Sequence, residues 1–269
     1  MRMKTFYLRA MTSLLNSKLS FVNKGLKVDE NGHMELEELL VVAEEAGRSL
    51  ITYAEKDLDA NVPNCPGWNN LELLNHMKVI WWFVAAQIVA GNDSERAIPS
   101  DEILDSPLSQ LTHLMDTFKS SDFSSPAWSW TWGSDKTVGF FIRRMAHENT
   151  VHDWDAKNAL GIDGQIPTLL ALDGIEEKLF LVSETLRVSE SGATLPNASI
   201  HLHCTDCEGE WMLSPSGADL KIVREHGKGD AAVRGEAKQI LLYLWGRKIE
   251  NLDFFGDEEV IKAWGEIGP

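Results

Sequence analysis

The feature that most constrains this chain is a change of hydrophobic period part-way along it. From Met34 to about Arg187, apolar residues recur at three- and four-residue steps, and beyond the small, proline-containing stretch 191–198 they alternate. The first spacing lays an apolar stripe along one side of a helix. The second lays one on a single face of a strand, so one uniform architecture cannot serve both. The expected class is α+β, with a helical bundle of the four-helix type over 34–190 and a smaller α+β domain over 198–269.

The helices can be placed by their punctuation. Leu36, Leu39, Leu40, Ala43, Ala46, Leu50 and Tyr53 mark a helix ending before Asp59, and two prolines and Gly67 make 62–68 a loop. Asn69 followed by Glu72 has the form of a capping box for a helix reaching about Ala90, with Gly91 as its stop. A short helix is expected near 108–119. A long one, capped by Ser134, should run to Leu160 and close at Gly161, and another follows Pro167 and Thr168. Beyond the boundary, 200–204, 210–213 and 220–223 read as strands of a small antiparallel sheet. The glycine-rich stretch 227–235 reads as a loop, 236–245 as a helix and 249–255 as a last strand.

Ahead of this lie residues 1–33, with six basic residues and no acid up to Lys27. They read as a leader, disordered or loosely docked, since Arg9 and Lys18 interrupt the apolar stretch a targeting peptide needs. No apolar run is expected to approach the roughly 20 residues of a membrane helix. The formal charge of −16 repels phosphate backbones, so neither a membrane nor nucleic acid is expected as partner. Three cysteines without disulfide-framework spacing favour a reducing, cytoplasmic setting.

Chemistry concentrates in HENTVHDWD (147–155), inside the long helix. Glu148 and His152, four apart, leave the same face one turn from each other. Asp155, three further on, lies near that stripe and could hold the imidazole in one tautomer. His76, between Leu73 and Ile80 on a face turned to the bundle core, is the natural third ligand, because a polar ring there needs a partner. Three protein ligands leave a coordination position open, as in catalytic zinc sites. Spacing alone also fits a solvated Glu–His pair and a hydrogen-bonded core histidine. His147 points about 100° from Glu148 and is assigned to backing the site or to structure.

The motifs VPNCPGWNNLELLNHM (62–77), RRMAHENTVHDWDAKNALG (143–161) and LALDGIEEKL (170–179) resemble the mycothiol-dependent maleylpyruvate isomerase family, a branch of the DinB-like metal-binding bundles. HCTDCEGEWML (203–213), HGKGDAAVRGEA (226–237) and LLYLWGR (241–247) are similar to that family's second domain, so the resemblance covers roughly 34–264. By position, the family's metal ligands fall on His76, Glu148 and His152. The resemblance implies a divalent metal, zinc by preference, and mycothiol or a similar small thiol as cofactor. It implies that the metal-activated thiol adds reversibly to a cis double bond of a small-molecule substrate, giving cis–trans isomerisation. A thiol S-transferase and a non-catalytic metal-binding regulatory protein are the alternatives.

A dianionic substrate calls for cationic partners. Arg234 and Arg247 are the candidates, with Arg143 and Arg144 one turn before Glu148. Cys204 and Cys207 form a lone C-x-x-C beside His201 and His203. Strand alternation turns those two histidines away from Cys204, which argues against a four-ligand site with the cysteines. Cys65 and the alternating Trp128, Trp130 and Trp132 are expected near the pocket or over the bundle end.

Overall fold

The computed structural model describes residues 34–99, 102–131, 135–187, 196–217 and 219–265. The expected leader, 1–33, lies outside them. Five helices come first: α1 (Leu36–Ala54), α2 (Asn70–Ala90), α3 (Pro107–Lys119), α4 (Val138–Ala159) and α5 (Thr168–Arg187). Then follow β1 (Ile200–Cys204), β2 (Glu210–Ser216), β3 (Asp219–Val223), β4 (Ala231–Gly235), α6 (Ala237–Leu244), β5 (Asp253–Gly256) and α7 (Glu258–Gly265).

The local signals mostly hold. Asn69 accepts from the Glu72 amide at 3.0 Å while Glu72 takes the Asn69 amide at 2.6 Å, so the capping box of α2 is complete. Left-handed Gly91 and Gly161 end α2 and α4. The cap of α4 is Thr137, which accepts from the Phe140 amide; the expected cap, Ser134, lies outside the described residues. One apolar run is longer than expected. Asn70–Ala90 meets the length and composition of a membrane span, yet it is a bundle helix with Leu73, Met77, Trp81 and Val84 buried.

Helices α1 to α4 pack together, with α1 along α4 and α2 along α3, while α5 leans chiefly on α6 and touches β3. Asn149 ties the bundle crosswise. Its amide nitrogen donates to the Ala43 carbonyl at 2.8 Å, and its oxygen accepts from the Trp81 indole at 2.9 Å. Because Trp81 shares α2 with His76, and Asn149 adjoins Glu148, this bond fixes the register between the two helices that carry the candidate ligands.

The sheet corrects two expectations. Its order is β3-β2-β1-β4-β5, and β1 pairs with β4 in parallel, so it is mixed and not purely antiparallel. Residues 231–235, expected as loop, are strand β4. Ile200, Leu202 and Cys204 of β1, Trp211 and Leu213 of β2, and Ala231 and Val233 of β4 join one apolar core continuous with the bundle. Burying the isoleucine, leucine and valine side chains among them stabilises each site by about 1.5–3 kcal/mol relative to leaving it in water.

Candidate metal centre

Helices α2 and α4 bring His76, Glu148 and His152 together, with donor atoms all within 4.8 Å of one another. Glu148 Oε1 stands 3.3 Å from His152 Nε2 and 3.7 Å from His76 Nε2. The other carboxylate oxygen accepts from Arg144, whose second nitrogen grips Glu177 at 2.8 and 2.7 Å. One oxygen is thus anchored and the other is turned to the imidazoles. Burial opposes ionisation of Glu148, but Arg144, His152 and His76 outweigh it and hold the carboxyl well below its usual range.

Behind His152 stands Asp155, fully buried, with Oδ2 2.9 Å from Nδ1. A proton on Nδ1 gives this contact and leaves Nε2 bare toward Glu148, the arrangement in which a carboxylate orients a metal-binding histidine. Arg247, arriving from beyond α6, donates to Asp155 at 2.5 and 3.2 Å. Burial works against the Asp155 charge, yet His152 and Arg247 keep its pKa below the ordinary value. The donor set therefore fits a divalent ion: two imidazole nitrogens, one ionised carboxylate oxygen, and a buried carboxylate holding one ring.

The three candidate ligands border a cavity of about 550 Å³. Trp68, Phe83, Trp130 and Trp245 line it with aromatic surface, and Arg144, Lys178 and Arg247 supply its cations. Lys178 differs from the two arginines. Both arginines are salt-bridged to carboxylates, whereas the Lys178 ammonium rests 5.3 Å from the Trp245 ring centre with no carboxylate at salt-bridge distance among the described residues. Burial first, and then the Arg144 charge, lower its pKa to about 7. Cys65 also reaches the cavity, 3.8 Å from Asp155 Oδ2, and burial with the Asp155 charge pushes its thiol up to about 11. Cys65 therefore stays protonated at neutral pH.

Some expected site residues are elsewhere. His147 takes the structural alternative and does not back the site: its Nε2 pairs with Asp173 at 2.7 Å on the α5 side, and its Nδ1 has no hydrogen-bond partner among the described residues. Asp173 also takes Arg143 at 2.9 Å, so Arg143 belongs to the α4–α5 contact. Arg234 lies exposed on β4, in register with Asp253, and does not line the cavity. Arg247 does line it. Trp130 packs against Phe140 and Phe141, Trp128 against Phe83, and Trp132 lies outside the described residues.

Lys178 was missed. Its signal is a charged residue on the apolar stripe of α5 made by Ile175, Leu179 and Val182.

Residues 41–157 match the family model described as the mycothiol maleylpyruvate isomerase N-terminal domain. The match agrees with the family resemblance carried by the motifs. Among solved structures, the chain is similar to a mycothiol-dependent maleylpyruvate isomerase, at 14% identity and a TM-score of 0.53, over 82% of this chain and 92% of that one. A histidine-to-alanine mutant of that enzyme aligns over the same shares with a TM-score of 0.54. At that identity the likeness speaks for the fold, including the helical region followed by an α+β part. No curated protein matches the chain.

Proposed function

We propose that this chain is a mycothiol-dependent metalloenzyme of the maleylpyruvate isomerase type, acting on a small unsaturated dicarboxylate. The observation that carries the reading is the convergence of two imidazoles and a carboxylate at the wall of a cavity that also holds Lys178, which has no carboxylate at salt-bridge distance among the described residues. His76, Glu148 and His152 would hold the metal, zinc by preference for this donor set. A bound divalent ion lowers the pKa of a coordinated thiol, so that a cofactor thiol is thiolate at neutral pH.

The chain's own residues do the rest. Asp155 fixes the tautomer of His152, and Arg144 keeps Glu148 ionised with Oε1 free. Trp68, Phe83 and Trp130 exclude water from one wall, which strengthens every charge interaction inside. Lys178 and the outer edge of Arg247 supply positive charge for a dianion that the acidic surface would otherwise repel. In this role Lys178 replaces Arg234. The free Cys65, Cys204 and Cys207 accord with a reducing, cytoplasmic compartment.

Turnover of maleylpyruvate with mycothiol and zinc tests the reading, run beside a generic electrophile to separate isomerase from S-transferase. His76→Ala and His152→Ala should each abolish turnover and release the metal from this centre. Full activity in both variants would overturn the assignment.

A further inference from the structure

A second group of metal-ligating side chains lies on the sheet and shares no residue with the centre described above. His201 and His203 leave the same face of β1, two residues apart, and Glu210 of β2 stands directly opposite His203 in the strand register. His226 comes from the connection between β3 and β4. Its Nδ1 is 3.0 Å from Glu210 Oε2, His203 Nδ1 is 2.5 Å from Oε1, and His201 Nε2 is 3.7 Å from Oε2. One donor atom from each of the four residues lies within 4.8 Å of the others.

Hydrogen bonding within the group leaves one atom unexplained. His201 is buried, and its Nε2 has no hydrogen-bond partner, because 3.7 Å to the carboxylate is beyond reach. An orphaned nitrogen of this kind costs about 1–3 kcal/mol unless something else occupies its lone pair or proton. Three imidazoles around one carboxylate also exceed what an ion pair needs. In a tetrahedral zinc site with bonds of about 2.0–2.1 Å, donors sit about 3.3–3.4 Å apart. The observed separations bracket that value, so small side-chain rotations would close the shell. The backbone is placed for it as well. A Cβ on Gly229 would meet the Ala231 carbonyl oxygen at 2.6 Å and the His201 amide nitrogen at 3.0 Å, so the glycine lets the connection carrying His226 lie against β1.

We infer that His201, His203, Glu210 and His226 form a second zinc site, closed and structural, that pins the β3–β4 connection to the sheet. Four protein ligands leave no position for substrate, and soft thiolate is absent from the set, so the chemistry suits zinc held by imidazole and carboxylate.

The test is zinc stoichiometry and affinity on the full chain, stripped by chelator and titrated against a chromophoric chelator. The wild type should bind two zinc ions per chain, and His152→Ala should keep one. In the His152→Ala background, His203→Ala should remove the remaining ion. His226→Ala, at an exposed position that cannot threaten folding, should weaken it by more than about tenfold. A wild type that binds a single ion, lost in His152→Ala and kept in His203→Ala, would overturn the inference. So would two ions whose affinities are unchanged in both His203→Ala and His226→Ala. A single ion lost in His203→Ala and kept in His152→Ala would uphold this site and count against the α2–α4 centre.

Discussion

Asp155→Asn isolates the coupling between metal site and fold, because this fully buried carboxylate holds His152 on one side and Arg247 on the other. The substitution keeps the shape and removes the charge. Breaking a buried ion pair at one partner costs about 3–5 kcal/mol, and the amide oxygen can still accept one bond, so the lower end, about 3 kcal/mol, is expected. The amide cannot satisfy both neighbours fully: with its oxygen at the Oδ2 position its nitrogen meets the Arg247 Nε donor, and with its nitrogen there it offers His152 no acceptor. Whichever one it abandons, the His152 ring loses the charged partner that sets its tautomer, and zinc affinity should fall about 10–100-fold. Urea unfolding of the metal-free protein reads the first effect and chelator competition the second. Adding Arg247→Met should recover part of the stability, since no cation is then left buried alone, and none of the metal affinity. The sign with pH is also set. The folded pKa of Asp155 is depressed, so its contribution is present above the unfolded value near 4 and is lost as pH falls through the folded one. Zinc affinity within twofold of the wild type in a folded Asp155→Asn protein would refute the role given to the carboxylate. A stability loss below about 1 kcal/mol would refute the pairing with Arg247.

Lys178→Met should raise the substrate KM by about ten- to a hundredfold with metal content unchanged, the loss of one charge-assisted contact. With a pKa near 7, Lys178 loses its charge as pH rises, so substrate affinity should fall above pH 7 in the wild type and stay level in Lys178→Arg. Steady-state kinetics across pH 6–9 would check both, and a flat wild-type profile would count against Lys178. His147→Ala should lower the melting temperature and leave zinc affinity at the α2–α4 centre unchanged, because its bond is to Asp173. A Cβ at Gly174 would meet His147 Nδ1 at 2.9 Å and Leu241 Cδ1 at 3.0 Å. Gly174→Ala should therefore destabilise by about 1–3 kcal/mol in a denaturant titration, despite the better helix propensity of alanine.

Much of the bundle was legible locally. The Asn69–Glu72 capping box, the glycine stops and the four-residue step from Glu148 to His152 are short-range features, and backbone geometry converts each directly into a cap, an end or a shared face. His76 was legible for a related reason: a polar ring on an apolar stripe advertises a buried partner. The misreadings lie where the partner is distant in sequence. Strand β4 is short and glycine-flanked, so it looks like loop, and only pairing with β1 makes it a strand. Arg234 and Arg247 are indistinguishable as isolated arginines. One was left exposed on the sheet, and the other was carried back across the molecule to Asp155. His226 reads as one more polar residue in a turn until the β3–β4 connection lays it beside Glu210. The sequence by itself determined the periods, the caps and which faces of each element are apolar, because these depend on neighbours within about one helical turn. Which charges meet across the α4–α5 contact, and which cation enters the cavity, were decided by tertiary packing. Desolvation makes such a choice binding, since a buried charge must find its partner in three dimensions wherever the chain has placed it.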